Sequence, residues 1–577
     1  MTGGLQWQMC IIPMFCLGIA LICALERINN WGIIVAIGFV FLYGISLFIT
    51  KGNFQNGLYE SEKLLLFPLA LVLGTAVNKK TVQYAVYTAS FIVAVVGLIA
   101  YCGFATVNDF VINSNGMLRL QSLLRYANTT ACLLGCGYII AINIYCDTSK
   151  RIHLYFSAII LLAMFLTVSK ATIPIFVGVG TLVVFKKKEI ASNFLFQLVI
   201  TGILMFPIIF SAKKYLYFPV AMLMVICIVA CTFKPRRLTE NLACKMWAMM
   251  LTVGMLAVVV LFLIKPSFFS TFTQRLIYMK DALKIVPQRI LFGWGAGSWK
   301  VLQYKIQSTQ YDVTYIHNGF LQFLFENGII FTVGFIALCI GAFWMSVKKN
   351  HYDFATVILL ISIHSIVDFD LSFGIILIIF GLICGQITKT EPKSTGKFIL
   401  PIASGVMIAI ISVASIYMIT EYVSRNRFES LCLAEKYDAA LVQAERLEKI
   451  CPKDSTLKMN IAALVEKTDN DKRTIKKKIN EAKELSPYDP EIFEGYMIYN
   501  TTSDNILDLC EEYIEMKPRH EETYRNAKKT VKNACEFGII DERKKTNTLN
   551  CIDEIRFKNK VYDRDELLDR LVKERGK

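Results

Sequence analysis

NGFLQFLFENGIIFTVGFIALCIGAFWMSVKK, residues 318–349, holds a single acidic residue, Glu326, before it stops at Lys348 and Lys349. A helix needs roughly 20 mostly apolar residues to cross about 30 Å of hydrocarbon, and this run supplies them. The paired lysines at its end mark the side that is retained in the cytoplasm. Working outward, similar stretches recur near 9–25, 31–50, 64–78, 83–103, 124–146, 153–169, 171–185, 191–210, 215–233, 243–264, 353–367, 371–388 and 398–420. With 318–346 they make about fourteen spans, an all-α polytopic membrane domain over residues 1–420. The first span has no small-residue cleavage site and is read as a span, not as a signal peptide.

Composition agrees. Of 577 residues 55% are hydrophobic and 19% charged, with mean hydropathy +0.48. A soluble globular chain carries about a quarter charged residues, so that class and intrinsic disorder are both excluded. Charge is also unevenly placed. From Glu421 onward 31 basic residues meet 32 acidic ones, whereas residues 1–420 hold 31 against 14, a net of +17.

The basic residues set an orientation. Lys79 and Lys80, Lys150 and Arg151, Lys186 to Lys188, Lys234 with Arg236 and Arg237, Lys348 and Lys349, and Lys389 to Lys397 fall in alternate loops. Placed in the cytoplasm, they leave both termini and the long loops 104–123 and 265–317 outside; Lys213 and Lys214 are the pair on the wrong side.

Residues 421–577 read as a soluble, helical, extracytoplasmic domain. Segments such as EKYDAALVQAERLEKICPKDS (435–455) space small and apolar residues helically, and helix endings recur at Pro452, Pro487 and Pro518. The intervals of 35 and 31 residues lie close to the roughly 34 of a tetratricopeptide (TPR) repeat. Such repeats build a concave surface for a protein partner. His520, the one histidine there, is expected on a solvated helix face. Twelve of the 17 cysteines precede residue 421 as apolar packing residues, and the five in the tail are too irregular for a disulfide framework.

Chemistry facing outward has to use the outer loops. RLIYMKDALKIV (275–286) has the spacing of an amphipathic helix lying on the bilayer surface, and GWGAGSW (293–299) brings Gly293, Gly295 and Gly297 together with Trp294 and Trp299. Glycines permit tight turns and close approach to a ligand. No strand precedes them, so they form no nucleotide fingerprint. His317 stands at the outer mouth of a span beside Asn318, where a titratable group is costly unless used or paired.

The outer face offers Arg119, Arg125, Lys170, Lys265, Arg275, Lys280, Lys284, Arg289, Lys300 and Lys305, while Asp109, Asp281 and Asp312 stand apart. No carboxylate pair or Cys/His cluster shows metal-ligand spacing, so neither metal nor cofactor is expected. Guanidinium forks suit phosphate. A diphosphate at the membrane surface is the ligand they fit, and no nucleic-acid partner is expected.

These residues resemble the O-antigen ligase and polymerase family of bacterial membrane glycosyltransferases. The likeness runs through RLQSLLRYANTTAC (119–132), QRLIYMKDALKIV (274–286), ILFGWGAGSW (290–299), HNGFLQFLFENGI (317–329) and SIHSIVDFDLS (362–372). Where many relatives have Ser-Arg-Gly, this chain has Ser169, Lys170 and Ala171. The resemblance implies a fold like that of the large polytopic, lipid-dependent (GT-C-like) glycosyltransferases, in the bacterial cytoplasmic membrane among its lipids. It implies metal-independent, inverting transfer of a glycan from a polyprenyl-diphosphate carrier to a glycan, wall-polymer, lipid or protein acceptor. His317, Arg275 and Arg119 would be catalytic, with Lys170, Arg289, Asn318, Asn128, Gly295, Trp294, His364 and Asp368 binding substrate. His364 is the rival base, with Asp368 one turn on to fix its tautomer. A flippase for the same carriers is the competing class, but it needs ionisable groups in mid-span, where this chain has few. A scaffold displaying its repeats needs one or two spans, not fourteen.

Overall fold

A computed structural model of the chain describes residues 8–24, 30–105, 107–114, 116–210, 225–226, 228–229, 240–264, 270–388 and 399–559. Its regular structure is helical apart from one two-stranded hairpin. Helices α1 to α4 are Gln8–Ala24, Asn30–Phe48, Phe54–Ala76 and Lys79–Tyr101. Strands β1 (Val111–Ser114) and β2 (Met117–Leu120) follow, pairing antiparallel with Ile112 opposite Arg119. Then come α5 to α9 at Ala127–Thr148, Arg151–Leu166, Thr172–Lys186, Lys188–Phe210 and Glu240–Ile264. The stretch expected as a long loop contains α10 (Ser270–Ile285) and α11 (Trp299–Ile306), and α12 to α15 are Gly319–Lys348, Tyr352–Val367, Gly374–Thr388 and Ile399–Leu433.

Four described helices, α2, α4, α5 and α12, are long and apolar enough to cross a membrane, and α6, α7, α13 and α14 are shorter apolar helices. The span expected near 215–233 lies almost wholly outside the described residues, as do Lys213, Lys214, Lys234, Arg236, Arg237, Lys265 and residues 389–397. Helix α12 is interrupted at Gly328, whose φ is +77°. A Cβ there would meet the Leu291 carbonyl oxygen at 2.3 Å, so the segment 290–292 is seated in the break. Helices α3 and α14 pack backbone to backbone: a Cβ on Gly74 would lie 2.3 Å from the Leu382 oxygen, and one on Gly385 2.0 Å from the Leu71 oxygen. Only a residue without a side chain allows backbones this close.

Because successive helices alternate in direction, the C-terminal ends of α4, α6 and α13 meet the N-terminal ends of α5, α7, α12 and α14 at one end of the bundle. The other end gathers basic turns: Lys79 pairs with the buried Asp353 at 3.5 Å, and Lys187 donates to Asn143 at 2.6 Å and pairs with Asp147 at 3.1 Å.

Helix α15 runs unbroken through residue 421, so the apolar and charged parts of the chain share one helix. Seven further helices follow, α16 to α22, at Tyr437–Ile450, Ser455–Thr468, Lys472–Leu485, Pro490–Asn500, Ile506–Met516, Glu521–Glu536 and Glu542–Lys558. Three of them are capped by Cys451, Ser486 and Lys517, each immediately before a proline. A residue preceding proline is disfavoured in the α region, which stops the helix there. Cys432, Cys451, Cys510, Cys535 and Cys551 are free thiols.

The tail is tied to the start of α3 and to α11. Tyr59 donates to Glu421 at 2.5 Å, Arg425 pairs with Glu421 and with Asp454 (2.8 Å), and Asn53 donates to Asp454 at 3.1 Å. His520 is not on a solvated face. It is 8% exposed, its ring stands edge-on to Tyr304 of α11 (5.7 Å), and its Nδ1 lies 3.3 Å from Gln310 Nε2. Burial first, and then Lys517, hold its pKa below the ordinary histidine value. The detached chain therefore binds a proton more readily than the docked one, and the contact is complete above about pH 6.5 and lost as pH falls through the depressed value. Protection of the amides in 299–312, with the intrinsic exchange rate corrected for pH, is expected to fall on acidification in the wild type, and His520→Gln to flatten that dependence.

Candidate functional site

At the end of the bundle opposite the basic turns, three sequence-expected residues, Asn128, Arg275 and His317, converge on the carboxylate of a fourth, Asp368. Helix α13 stops at Val367, so Asp368 is extended (φ −149°, ψ 178°). It is fully buried. Its Oδ1 accepts from Tyr126 Oη at 2.9 Å and its Oδ2 from Asn128 Nδ2 at 2.7 Å. Arg275 Nη2 lies 3.2 Å from Oδ2, and His317 Nδ1 3.4 Å from Oδ1. Burial alone would raise the Asp368 pKa; His317 and Arg275 outweigh it and hold the carboxyl well below the usual range.

The cations are held by their surroundings. Arg119, on β2, donates Nε to the Thr167 carbonyl and Nη2 to Asn128 Oδ1, both at 3.0 Å. Arg275, on the inner face of α10, donates Nη1 to the Val367 carbonyl at 2.5 Å. Nη1 of Arg119 and Nε of Arg275 thus have no acceptor among the described residues. Burial lowers the pKa of Arg119, and Arg275 acts in the same direction; burial and then Arg119 lower that of Lys170. Burial also opposes the charge of Arg275, but Asp368 more than restores it. Two guanidinium groups, Arg119 and Arg275, thus share the one carboxylate of Asp368.

His317 sits at φ +59°, a left-handed conformation uncommon for a residue with a Cβ. Val168, beside Ser169, shares it at +50°, and for a β-branched residue this is strained. Strain of this kind collects at functional sites. Here Val168 and His317 flank the Asp368 cluster from two sides. Phe369 walls the imidazole edge-on at 4.7 Å and is itself held between Tyr126 (4.7 Å) and Tyr315 (5.0 Å). His317 Nδ1 is buried without a hydrogen-bond partner, its 3.4 Å approach to Asp368 Oδ1 being a charge contact only, and Nε2 makes no hydrogen bond among the described residues.

Other expected residues are placed elsewhere. Asn318 caps α12, accepting from Leu321 N at 2.9 Å. The Arg289 guanidinium lies 4.9 Å from the Trp294 ring, and Trp294 donates to the Ile285 carbonyl. Gly293, Gly295 and Gly297 all have positive φ. Their close approach is to the chain itself, since a Cβ on Gly295 would meet Thr50 Cα at 2.2 Å. Asp281 does not stand apart: it is buried and accepts from Ser308 and Tyr311 beside Lys284.

His364 is not oriented by Asp368. Its Nδ1 contacts Asp370 Oδ2, and its Nε2 lies 2.7 Å from Thr172 Oγ1. The helix ends before Asp368, and the 3₁₀ turn Asp370–Ser372 carries Asp370 back to the ring instead. Cys132, His364 and Asp370 bring ligand atoms within 4.8 Å of one another, a grouping their sequence spacing does not show. Both ring nitrogens are engaged, and Asp370 Oδ1 accepts from Thr129 at 2.7 Å, so hydrogen bonds already use these donor atoms.

Sequence reasoning named Asp370 with His364 and Asp368 in the motif 362–372 and Ser169 in the Ser-Lys-Ala segment, without giving either a role, and missed Tyr126 and Thr172 as members of the cluster. It also missed a buried set beside it: Lys63 pairs with Glu60 at 2.6 Å and donates to Tyr315 at 2.6 Å, and Lys300 reaches Glu60 at 3.1 Å. Two opposite charges at the head of an apolar helix were the available signal. No family model and no curated protein matches this chain, so its functional reading rests on the geometry of this cluster.

Proposed function

We propose that the protein is a membrane glycosyltransferase of the O-antigen ligase and polymerase kind. It moves a glycan from a polyprenyl-diphosphate carrier to an acceptor hydroxyl on the outer face of the bacterial cytoplasmic membrane. In this reading about fourteen spans carry the site, and the tail is an extracytoplasmic, TPR-like repeat domain. The observation that carries it is the convergence of Arg119, Arg275 and His317 on Asp368. Lys170 adds a third positive charge beside Arg119.

The chemistry follows from the free positions. His317 Nε2 takes the proton of the acceptor hydroxyl as its oxygen bonds to the anomeric carbon. The bond from that carbon to the diphosphate breaks on the opposite face, inverting the centre. The diphosphate leaves with the electron pair, and its charge is met by Arg119, Arg275 and Lys170. Asp368 is committed to protein donors and remains the fixed counter-charge.

Purified protein with a synthetic lipid-diphosphate-linked donor tests this. Transfer is expected to persist in chelator and to invert the donor linkage. Arg275→Lys is expected to lose about 1.5–3 kcal/mol of transition-state binding, since a point charge replaces one arm of a fork. Transfer that is abolished by EDTA and restored by Mn²⁺, or a product that retains configuration, would overturn the reading.

A further inference from the structure

A chain of hydrogen bonds leads from the buried His364–Asp370 pair to the Asp368 cluster, and its proton count fixes its direction. Asn128 Nδ2 donates to Asp368, and its Oδ1 accepts from Arg119, which can only donate. The orientation of the Asn128 amide is therefore set. Ser169 Oγ lies 3.0 Å from that same Oδ1 and must give it its one proton. In the 2.7 Å contact between Ser169 and Thr172, the donor is then Thr172. Its proton is also 3.2 Å-shared with the Asn128 carbonyl, again an acceptor. With its hydroxyl proton so used, Thr172 can only accept from His364 Nε2 at 2.7 Å.

We propose that His364 is a fixed proton donor and a positioning residue: its Nε2–H orders the Thr172–Ser169 hydroxyls so that Asn128 presents its oxygen to Arg119 and its amide protons to Asp368. The inference rests on the proposed transferase reading only for its kinetic consequence. A second proton lies between Nδ1 and Asp370, so the pair is neutral as a whole and stable where it is buried. The titratable groups facing the ring are Asp370 and the Cys132 thiol. A histidine whose Nε2 already carries a proton cannot serve as the base, which separates it in role from His317.

The direct test is ¹⁵N NMR of histidine-labelled protein in lipid, with His364 assigned from the spectrum lost in His364→Gln. The expected result is a protonated Nε2 throughout pH 6 to 9. An unprotonated Nε2 anywhere in that range overturns the proposal, whatever the protein's activity. The kinetic arm uses Thr172→Val and Ser169→Ala, which break the chain without touching His364. Both are expected to lower kcat roughly ten- to hundredfold at unchanged donor KM, as small misplacements of reacting groups do. His364→Gln, which keeps an N–H donor, is expected to recover part of the activity that His364→Ala loses. Wild-type kcat in Thr172→Val and Ser169→Ala at equal folded yield would show the chain to be packing only.

Discussion

His317→Ala is expected to lower turnover of a lipid-diphosphate-linked donor by about 10²–10⁴-fold, the usual contribution of a positioned general base. A sugar hydroxyl is a weak nucleophile near neutrality, and imidazole is the side chain whose ordinary proton affinity lies closest to it. The ring is fixed on three sides. Asp368 faces its Nδ1 at 3.4 Å, Phe369 covers one edge, and Tyr278 lies 5.9 Å from its centre. The left-handed backbone at φ +59° aims the side chain back toward Asp368 instead of along α12. That conformation also decides the control. Alanine is strained there, whereas asparagine visits the left-handed region readily, so His317→Asn removes the base while keeping the turn. Both variants are expected to lose turnover alike. If His317→Asn retains near wild-type turnover at equal folded yield, the base is another group.

The helices were legible in the sequence because the forces that end them are local. The run 319–348 stops at paired lysines, and three tail helices have their C-cap residue immediately before Pro452, Pro487 and Pro518. The site was legible only in part, because its geometry depends on where helices stop short. Helical spacing placed Asp368 beneath His364, yet the helix ends at Val367 and the next turn delivers Asp370. Arg119 and Arg275 were found as cations, but their common counter-ion comes from a segment 93 residues beyond Arg275. The glycines of 293–297 were visible as turn formers. What they approach is Thr50 and the break at Gly328, partners that no local pattern names. His520 was misplaced for the same reason, since it packs on Tyr304 of α11 and on Gln310, far from it in the sequence.

Asp368→Asn is expected to be the most damaging single substitution after loss of His317, and to act in two separable ways. The carboxylate only accepts hydrogen bonds, and every neighbour offers it a donor: Tyr126 Oη, Asn128 Nδ2, its own loop's Phe369 N, Arg275 and His317. An asparagine turns an N–H toward one of these donors and leaves the guanidinium of Arg275, 14% exposed, without its counter-charge. Breaking a buried pair from one side costs about 3–5 kcal/mol, so the thermal midpoint should fall. Turnover should fall further, by up to about 10⁴-fold, because the imidazole loses the carboxylate that faces its Nδ1 and orients the ring. The double variant Asp368→Asn with Arg275→Met separates the two effects. Removing both partners leaves neither of the two buried without the other, so stability is expected to recover in part while turnover stays low. Were turnover to return together with stability, Asp368 would be a structural counter-ion and His317 would have to be oriented by something else.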